Sequence, residues 1–290
     1  MEKLSFIGLG VMGYPMAGHL ANAGYAVTVY NRSQEKAAAW INEHTGNQAT
    51  TPAQAAADAD FVFTCVGNDD DVRSVVFGKD GAIAGMKSGS ILVDHTTASP
   101  KLARELEAAS QRKSCGFLDA PVSGGQAGAE NGQLTIMVGG QPDSFAEAET
   151  IMTSYAKSVR LMGDAGSGQL TKAVNQICIA GVLQGLSEGL HFAEQVGLDI
   201  NAVVEVISKG AAQSWQMENR SKTMAEGKFD YGFAVDWMRK DLGIALETGD
   251  EFNASLPLTA LVDQFYKDLQ RRDGGRWDTS SLIQRLRMGS

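Results

Sequence analysis

Lys172 has Asn175 and Gln176 three and four residues after it, inside a stretch rich in apolar residues. On a helix these spacings put all three side chains on one face. A lysine near a helix start is awkward there. The positive end of the helix dipole disfavours its charge, and burial removes the water that supports it. Both effects help an amine exchange its proton, which is the property a general acid/base needs. A snorkelling lysine and an asparagine that only packs between helices are the alternatives. Lys240, in Lys240-Asp241-Leu242, is a second candidate lysine. Ser123-Gly124-Gly125 offers one hydroxyl and several backbone N–H groups with little bulk in the way. Such a segment can cradle a small carboxylate, unless it is only a loop.

Near the start, Phe6-Ile7-Gly8-Leu9-Gly10-Val11-Met12-Gly13 carries an apolar strand (Leu4 to Ile7) into G-x-G-x-x-G. Met12, Met16 and Leu20 follow at helical spacing up to Gly24, and a second strand spans Ala26 to Tyr30. Strand, glycine turn, helix and strand together make the pattern a dinucleotide-binding site. Gly8 permits the tight turn, Gly10 leaves the backbone open to a pyrophosphate, and Gly13 lets the helix pack close to the strand. Leu9, Val11 and Met12 belong to the same phosphate-facing turn at the helix N-terminus. The second strand ends in Asn31-Arg32-Ser33. A carboxylate there would bond both ribose hydroxyls of NAD and repel a 2′-phosphate. An amide, a guanidinium and a hydroxyl can instead all donate to a phosphate. The residues point to NADP as the preferred cofactor, with NAD as the other possibility. A merely solvated Arg32 is the alternative.

The elements that must hold these residues alternate between strand and helix up to about residue 162. That argues for an α/β domain with a doubly wound, mostly parallel sheet, residues 1–163. Strands are expected at Phe61 to Val66, Ile91 to Asp94, Gln133 to Gly139 and Ser158 to Leu161. Ligands of parallel sheets bind beyond the carboxyl ends of the strands. That rule puts Cys65, Val66, Thr96 and Thr97 on the cofactor's path. The aspartates of Gly67-Asn68-Asp69-Asp70-Asp71 start and cap the next helix rather than gather a metal. From Gly166 to about Val196 there is no proline, and apolar residues recur all round the helical wheel. A helix of ~30 residues is ~45 Å long. It is expected to leave the first domain and form the spine of an all-helical second domain, residues 164–290, with further helices at 201–208, 216–225, 237–248 and 257–269. Lys172 then lies where the chain exits the cofactor domain, which favours the catalytic reading.

Composition narrows the field. A net charge of −9 and a pI near 5.0 give no support to a nucleic-acid or membrane-surface partner. Cys65, Cys115 and Cys178 are far apart and read as small buried apolar residues in a reducing compartment, the cytoplasm. The four histidines show no metal-ligand spacing, so no metal is expected. The chain enters a strand at once, without the pattern of a signal peptide. Polar residues interrupt the run 174–190, which suits a buried helix better than a membrane span.

With these motifs in hand the chain resembles the β-hydroxyacid dehydrogenase family, which includes 3-hydroxyisobutyrate dehydrogenase, tartronate semialdehyde reductase and NAD(P)-dependent serine dehydrogenases. The resemblance spans essentially the whole chain. It rests on Gly8 to Gly13 with Met16, on Asp119-Ala120-Pro121-Val122-Ser123-Gly124-Gly125, on Gly166-Ser167-Gly168 through Lys172 to Asn175, and on Phe233 followed by Lys240-Asp241-Leu242. It implies a Rossmann domain joined to a helical domain by one long helix, in homodimers or homotetramers. It implies that Ser123 and Gly124 hold the substrate carboxylate, that Lys172 is the general acid/base and that Asn175 positions the substrate. Lys240 would border nicotinamide and substrate, and the segment ending in Trp215 would line the substrate pocket. Phe233 is carried over as a cofactor neighbour, and Gly125 and Gln176 as substrate neighbours.

The implied reaction is hydride transfer between a nicotinamide and a small 3-hydroxy acid or its semialdehyde or ketone. Proton removal from oxygen must accompany it. A free lysine, with a pKa of ~10.4, is a poor base at neutral pH. Burial, the helix N-terminus and a second cation at Lys240 would each lower that value. Lys172 argues against an imine reductase of the same fold, where the lysine is usually replaced, and against a non-catalytic dinucleotide-binding module. The decarboxylating 6-phosphogluconate dehydrogenases have a larger helical domain than this chain can form.

Overall fold

The structure is a computed structural model and describes residues 2–288. Its packing divides the chain after Lys172 into two compact units. The first unit runs β1 (Lys3–Ile7), α1 (Gly13–Asn22), β2 (Ala26–Tyr30), α2 (Gln34–Glu43), β3 (Asn47–Gln48), α3 (Pro52–Ala56) and β4 (Phe61–Thr64). It continues with α4 (Asp69–Val76), α5 (Ala82–Gly85), β5 (Ile91–Asp94), α6 (Pro100–Gln111), β6 (Gly116–Asp119), β7 (Val122–Ser123) and α7 (Gly125–Glu130). Then come β8 (Leu134–Gly140), α8 (Pro142–Met152), β9 (Ala156–Gly163) and the start of α9 (Ser167–Gln195). Among the described residues the strands form one sheet in the order β3-β2-β1-β4-β5-β6-β8-β7, with β9 on β8.

The central strands are apolar without interruption because helices cover both faces. Leu4, Phe6, Phe61, Phe63, Ile91 and Val93 enter one core. Their neighbours Ile7, Val62 and Leu92 enter the other. That is the period-two alternation of a strand buried on both sides. The order reverses at β1, between β2 and β4, so a crevice opens there beyond the carboxyl ends of the strands. β3 through β6 pair in parallel, whereas β8 runs antiparallel to both β6 and β7. Local caps set several helix starts. Thr51 and Ser99 cap α3 and α6 from the position before Pro52 and Pro100. Asp69, Asp70 and Asp71 form the first turn of α4, capped by Asn68.

Two expectations need correction. The strand expected at Phe61 to Val66 ends at Thr64, because Val66 N–H turns away to Thr96 Oγ1 (3.0 Å). Cys178 is exposed and Cys65 half-buried; of the three cysteines only Cys115 is buried. The apolar wheel of α9 hid an outward face. Val174 and Val182, four residues either side of Cys178, are also exposed.

The second unit is helical. It holds the remainder of α9, then α10 (Ile200–Ile207), α11 (Trp215–Glu226), α12 (Val235–Glu251), α13 (Pro257–Gln270) and α14 (Leu282–Arg287). One core gathers Leu183 of α9 with Met238, Leu242, Val262 and Tyr266. Another gathers Leu190 with Met217, Met224 and Ile283. Asp278 ties the connection between α11 and α12. It accepts from Phe233 N–H (2.9 Å) and lies 3.3 Å from the Arg220 guanidinium. Among the described residues no helix is long and apolar enough to cross a membrane.

Candidate active site

The glycine turn between β1 and α1 is held from below. Gly8 N–H donates to Tyr30 O (2.8 Å) and Leu9 N–H to Asn31 Oδ1 (2.9 Å). Gly8 has φ +103°, a conformation that side-chain-bearing residues rarely adopt. A Cβ on Gly13 would run into Gly8 O and come within 2.9 Å of the Phe6 ring, so α1 packs directly on the strand. A Cβ on Gly10 would meet nothing within 4 Å. α1 begins with no side-chain cap at Met12 and no acidic residue in its first turn. An open backbone beside an uncapped, positive helix end fits a dinucleotide pyrophosphate. Val11 turns its side chain outward, 61% exposed, while Leu9 is buried.

Asn31, Arg32 and Ser33 lie beyond β2, at the same edge. The Asn31 amide is engaged on both sides, accepting from Leu9 and donating to Ser33 O (3.1 Å). Its visible work is to shape the turn. Arg32 extends into solvent, its side chain 90% exposed and 3.7 Å from Asp71 Oδ1. Cys65, Val66 and Thr97 follow β4 and β5 at that edge. Beneath them Asp94 is buried, accepting from Thr64 Oγ1 (2.7 Å) and Thr96 N–H (3.1 Å). Burial pushes its carboxyl up to about 6, against those hydrogen bonds. Thr96 is thus engaged with Val66 and Asp94, and half-buried Thr97 is the more exposed of the pair.

The serine-glycine loop grows out of β6. Its first residue past the strand, Ala120, is pinned twice. Ala120 N–H donates to Asp94 O (2.7 Å), and His95 Nδ1 donates to Ala120 O (2.6 Å). A carbonyl only accepts, so the proton sits on Nδ1 and Nε2 accepts from the Tyr155 hydroxyl (2.9 Å). Burial pulls the His95 pKa down to about 4, keeping this ring neutral. Ser123 is half-buried, and Gly124 (φ +136°) and Gly125 (φ +62°) are exposed.

α9 starts against the end of the same strand. Asp119, the last residue of β6, accepts from Gly166 N–H at Oδ1 (2.7 Å) and Gln169 N–H at Oδ2 (2.8 Å). Burial raises its carboxyl to about 7 while the two N–H groups pull the other way. Gln169 donates to Thr96 O (2.7 Å) and accepts from Ala98 N–H (3.0 Å). Lys172 follows three residues on and is 7% exposed. Among the described residues it is the one lysine that is buried.

In the second unit three expected residues come together. Asn175 Nδ2 donates to Gln176 Oε1 (2.7 Å), and Gln176 Nε2 donates to Asp241 Oδ2 (2.7 Å). Lys240 Nζ lies 3.1 Å from Asp241 Oδ1. Asp241, 3% exposed, is therefore the hub that links Gln176 to Lys240. Sequence reasoning quoted Asp241 only as part of a motif; its neighbour Lys240 was the available signal. Trp215 is half-exposed at the start of α11, with the Arg220 guanidinium 4.9 Å from its ring centre. Arg220 and Phe233 share Asp278. Asp119 and Gln169 carry no local signal of these contacts, since their partners lie 47 to 73 residues away.

Comparison with known proteins shows the family to which this fold belongs. Residues 3–163 match the NAD-binding domain of 6-phosphogluconate dehydrogenase. Residues 166–286 match the NAD-binding region of NADP-dependent 3-hydroxyisobutyrate dehydrogenase. The chain is 60% identical over 286 residues to an uncharacterized oxidoreductase of Shewanella frigidimarina, covering 99% of this chain and 98% of that one. It is 32% identical to 2-hydroxy-3-oxopropionate reductase of Escherichia coli, covering 99% and 97%. It superposes on Mycobacterium tuberculosis 3-hydroxyisobutyrate dehydrogenase solved with L-serine, with TM-score 0.89, 29% identity and 99% of each chain covered.

Proposed function

The chain belongs to the β-hydroxyacid dehydrogenase family, NAD(P)-dependent oxidoreductases of hydroxy acids, and on that premise we propose that it interconverts a small 3-hydroxy acid and its semialdehyde or ketone, preferring NADP(H), with Lys172 as general acid/base. The observation that carries the reading is the burial of Lys172, 7% exposed, in the helix that starts at the root of the serine-glycine loop. The names of the relatives support the substrate class. One acts on 2-hydroxy-3-oxopropionate and one was solved with L-serine, both three-carbon carboxylates.

In this reading Ser123 Oγ and the N–H groups of Gly124 and Gly125 bind the carboxylate. Bound nicotinamide supplies the hydride acceptor or donor. Lys172 Nζ takes the proton from the substrate hydroxyl as hydride leaves the adjacent carbon, and returns it to the carbonyl oxygen in reduction. Asn175 orients the substrate oxygen, Gln176 and Asp241 hold the Asn175 and Lys240 side chains, and Trp215 lines the pocket. Gly8 to Gly13 receive the pyrophosphate, Cys65, Val66, Thr97 and Phe233 border the rest of the cofactor, and Arg32 with Ser33 takes the 2′-phosphate. The reading includes a cytoplasmic homodimer or homotetramer, which light scattering checks.

The test is Lys172→Ala beside Lys172→Arg. Alanine should lower kcat by roughly 10²–10⁴ while NADPH still binds. Arginine should fail too, since a guanidinium does not release its proton. An active Lys172→Arg enzyme with the parent pH profile would make the lysine a carboxylate partner only.

A further inference from the structure

Asp119 and Gln169 are buried and polar; Asp119 bonds the first turn of α9 to the end of β6, and Gln169 bonds it to the loop after β5. An ordinary helix cap is a local side chain at the position before the helix. Here the cap is remote. Asp119 supplies one oxygen to Gly166 N–H and the other to Gln169 N–H, so it grips the helix end at two points one turn apart. The contact is close because Gly168 has no side chain. A Cβ there would fall 2.6 Å from Asp119 O and 2.5 Å from Met137 O. Gln169 supplies the second grip. Its amide spans Thr97, donating to the carbonyl before it and accepting from the N–H after it.

A helix held at its end by a carboxylate has its height fixed. Held also by a side chain that leaves it in another direction, it has its rotation fixed as well. Lys172 is three residues after Gln169, so the two share a face, about 4.5 Å apart along the axis. Meanwhile the chain running on from Asp119 reaches Ser123 four residues later.

We propose that Asp119 and Gln169 are positioning residues, which set the height and rotation of α9 so that Lys172 is presented in register with Thr97 and the Ser123–Gly124 loop. This rests on Lys172 being the acid/base. Misplacing a catalytic group by about 1 Å costs roughly a hundredfold in rate, whereas cofactor binding at the glycine turn does not involve this helix end.

The experiment is a double-mutant cycle on the full chain at pH 8.5, where Asp119 is ionised. Gln169→Met removes both side-chain bonds at similar volume, and Asp119→Asn puts an amide where two donors converge. Each is made alone and in a Lys172→Ala background. Assays use NADP⁺ or NAD⁺ with L-serine, 3-hydroxypropionate and 3-hydroxyisobutyrate, taking the best-used acid. NADPH Kd is measured by fluorescence titration. With Lys172 present and cofactor saturating, each variant should lose roughly tenfold to a hundredfold in kcat; NADPH Kd should stay within about twofold of the parent in Asp119→Asn, whereas Gln169→Met also loosens Thr97 and weakens Kd separately from kcat. With Lys172 absent, the same change should alter the residual rate by less than about twofold, because there is no lysine left to misplace. Equal losses in both backgrounds would mean a purely structural role and overturn the proposal. So would a parental kcat in Gln169→Met, which decides the matter if Asp119→Asn does not fold. A fully active Lys172→Ala enzyme would instead overturn the underlying acid/base reading.

Discussion

Replacing Asp119 by Asn should change how stability depends on pH, by an amount that follows from three buried groups of the first unit. Burial raises Asp94 to about 6 and Asp119 to about 7, each from an ordinary 3.8, and lowers His95 from 6.5 to about 4. At pH 5 the folded unit therefore holds two carboxyl protons that the unfolded chain has released. The unfolded chain holds one imidazole proton that the folded unit excludes. The folded state carries a net excess of about one proton, so stability falls by about 1.4 kcal/mol for each unit of rising pH. Asp119 alone accounts for about 4 kcal/mol: its pKa is raised on folding, so that contribution is complete below about pH 4 and is lost as pH rises through about 7. Asp119→Asn removes one folded-state proton, and the slope near pH 5 should drop to about zero. His95→Gln should steepen it to about 2.7 kcal/mol per unit. The carboxyls Asp60, Glu194 and Glu226 are lowered instead; they contribute with the opposite sign towards pH 4.5 but equally in parent and variant, so they cancel from the comparison. Urea titrations at pH 4.5 to 6 can be followed through Trp40, the one tryptophan of the first unit, with Trp215, Trp237 and Trp277 changed to Phe. The parental slope persisting in Asp119→Asn would refute the assignment of that proton. The lost cap moves the whole line down but not its slope, so the two effects separate.

Arg32→Ala should weaken NADPH by roughly tenfold to a hundredfold and leave NADH nearly unchanged, with no loss of melting temperature since the side chain is exposed. Asp71→Asn should tighten NADPH by about twofold to fivefold, because it frees the Arg32 guanidinium from an exposed pair worth at most about 1 kcal/mol; titration against both cofactors checks each change. Gly10→Ala should keep the parental melting temperature yet lose cofactor binding, its methyl occupying space the protein leaves open. Gly13→Ala should lose about 1–3 kcal/mol of stability instead, since its methyl meets Gly8 O and the Phe6 ring.

The sheet was legible because its signals are local. Unbroken apolar strands and Gly8 in its turn act within a few residues, and the strands expected at Leu4 to Ile7, Ala26 to Tyr30 and Ile91 to Asp94 lie close to their observed bounds. The limits of that legibility are local too. The end of β4 depends on Val66 finding Thr96, 30 residues on, and the outward face of α9 depends on which of its apolar sides the packing leaves uncovered. A helix that reads as apolar all round cannot say from composition which side that is.

The site divides the same way, for a chemical reason. Lysine, serine and glycine announce themselves by type, because few other residues exchange a proton, offer a hydroxyl or bare the backbone. The carboxylates that hold them do not. An aspartate reads as a surface residue until the fold shows it at nearly zero exposure, as at Asp94 and Asp119, or at 3%, as at Asp241. Burying one such group is costly unless donors converge on it. Asp94 receives a threonine hydroxyl and a backbone N–H, Asp119 two backbone N–H groups, and Asp241 a glutamine amide and an ammonium. Each therefore fixes two separate segments at once, and neither segment can shift without stranding a buried polar group. That makes these carboxylates better determinants of geometry than the apolar contacts around them, which tolerate small slides. It also explains why a sequence reading that proposes Lys172, Asn175 and Lys240 does not see the groups proposed to aim them: those groups have partners only after the chain has folded.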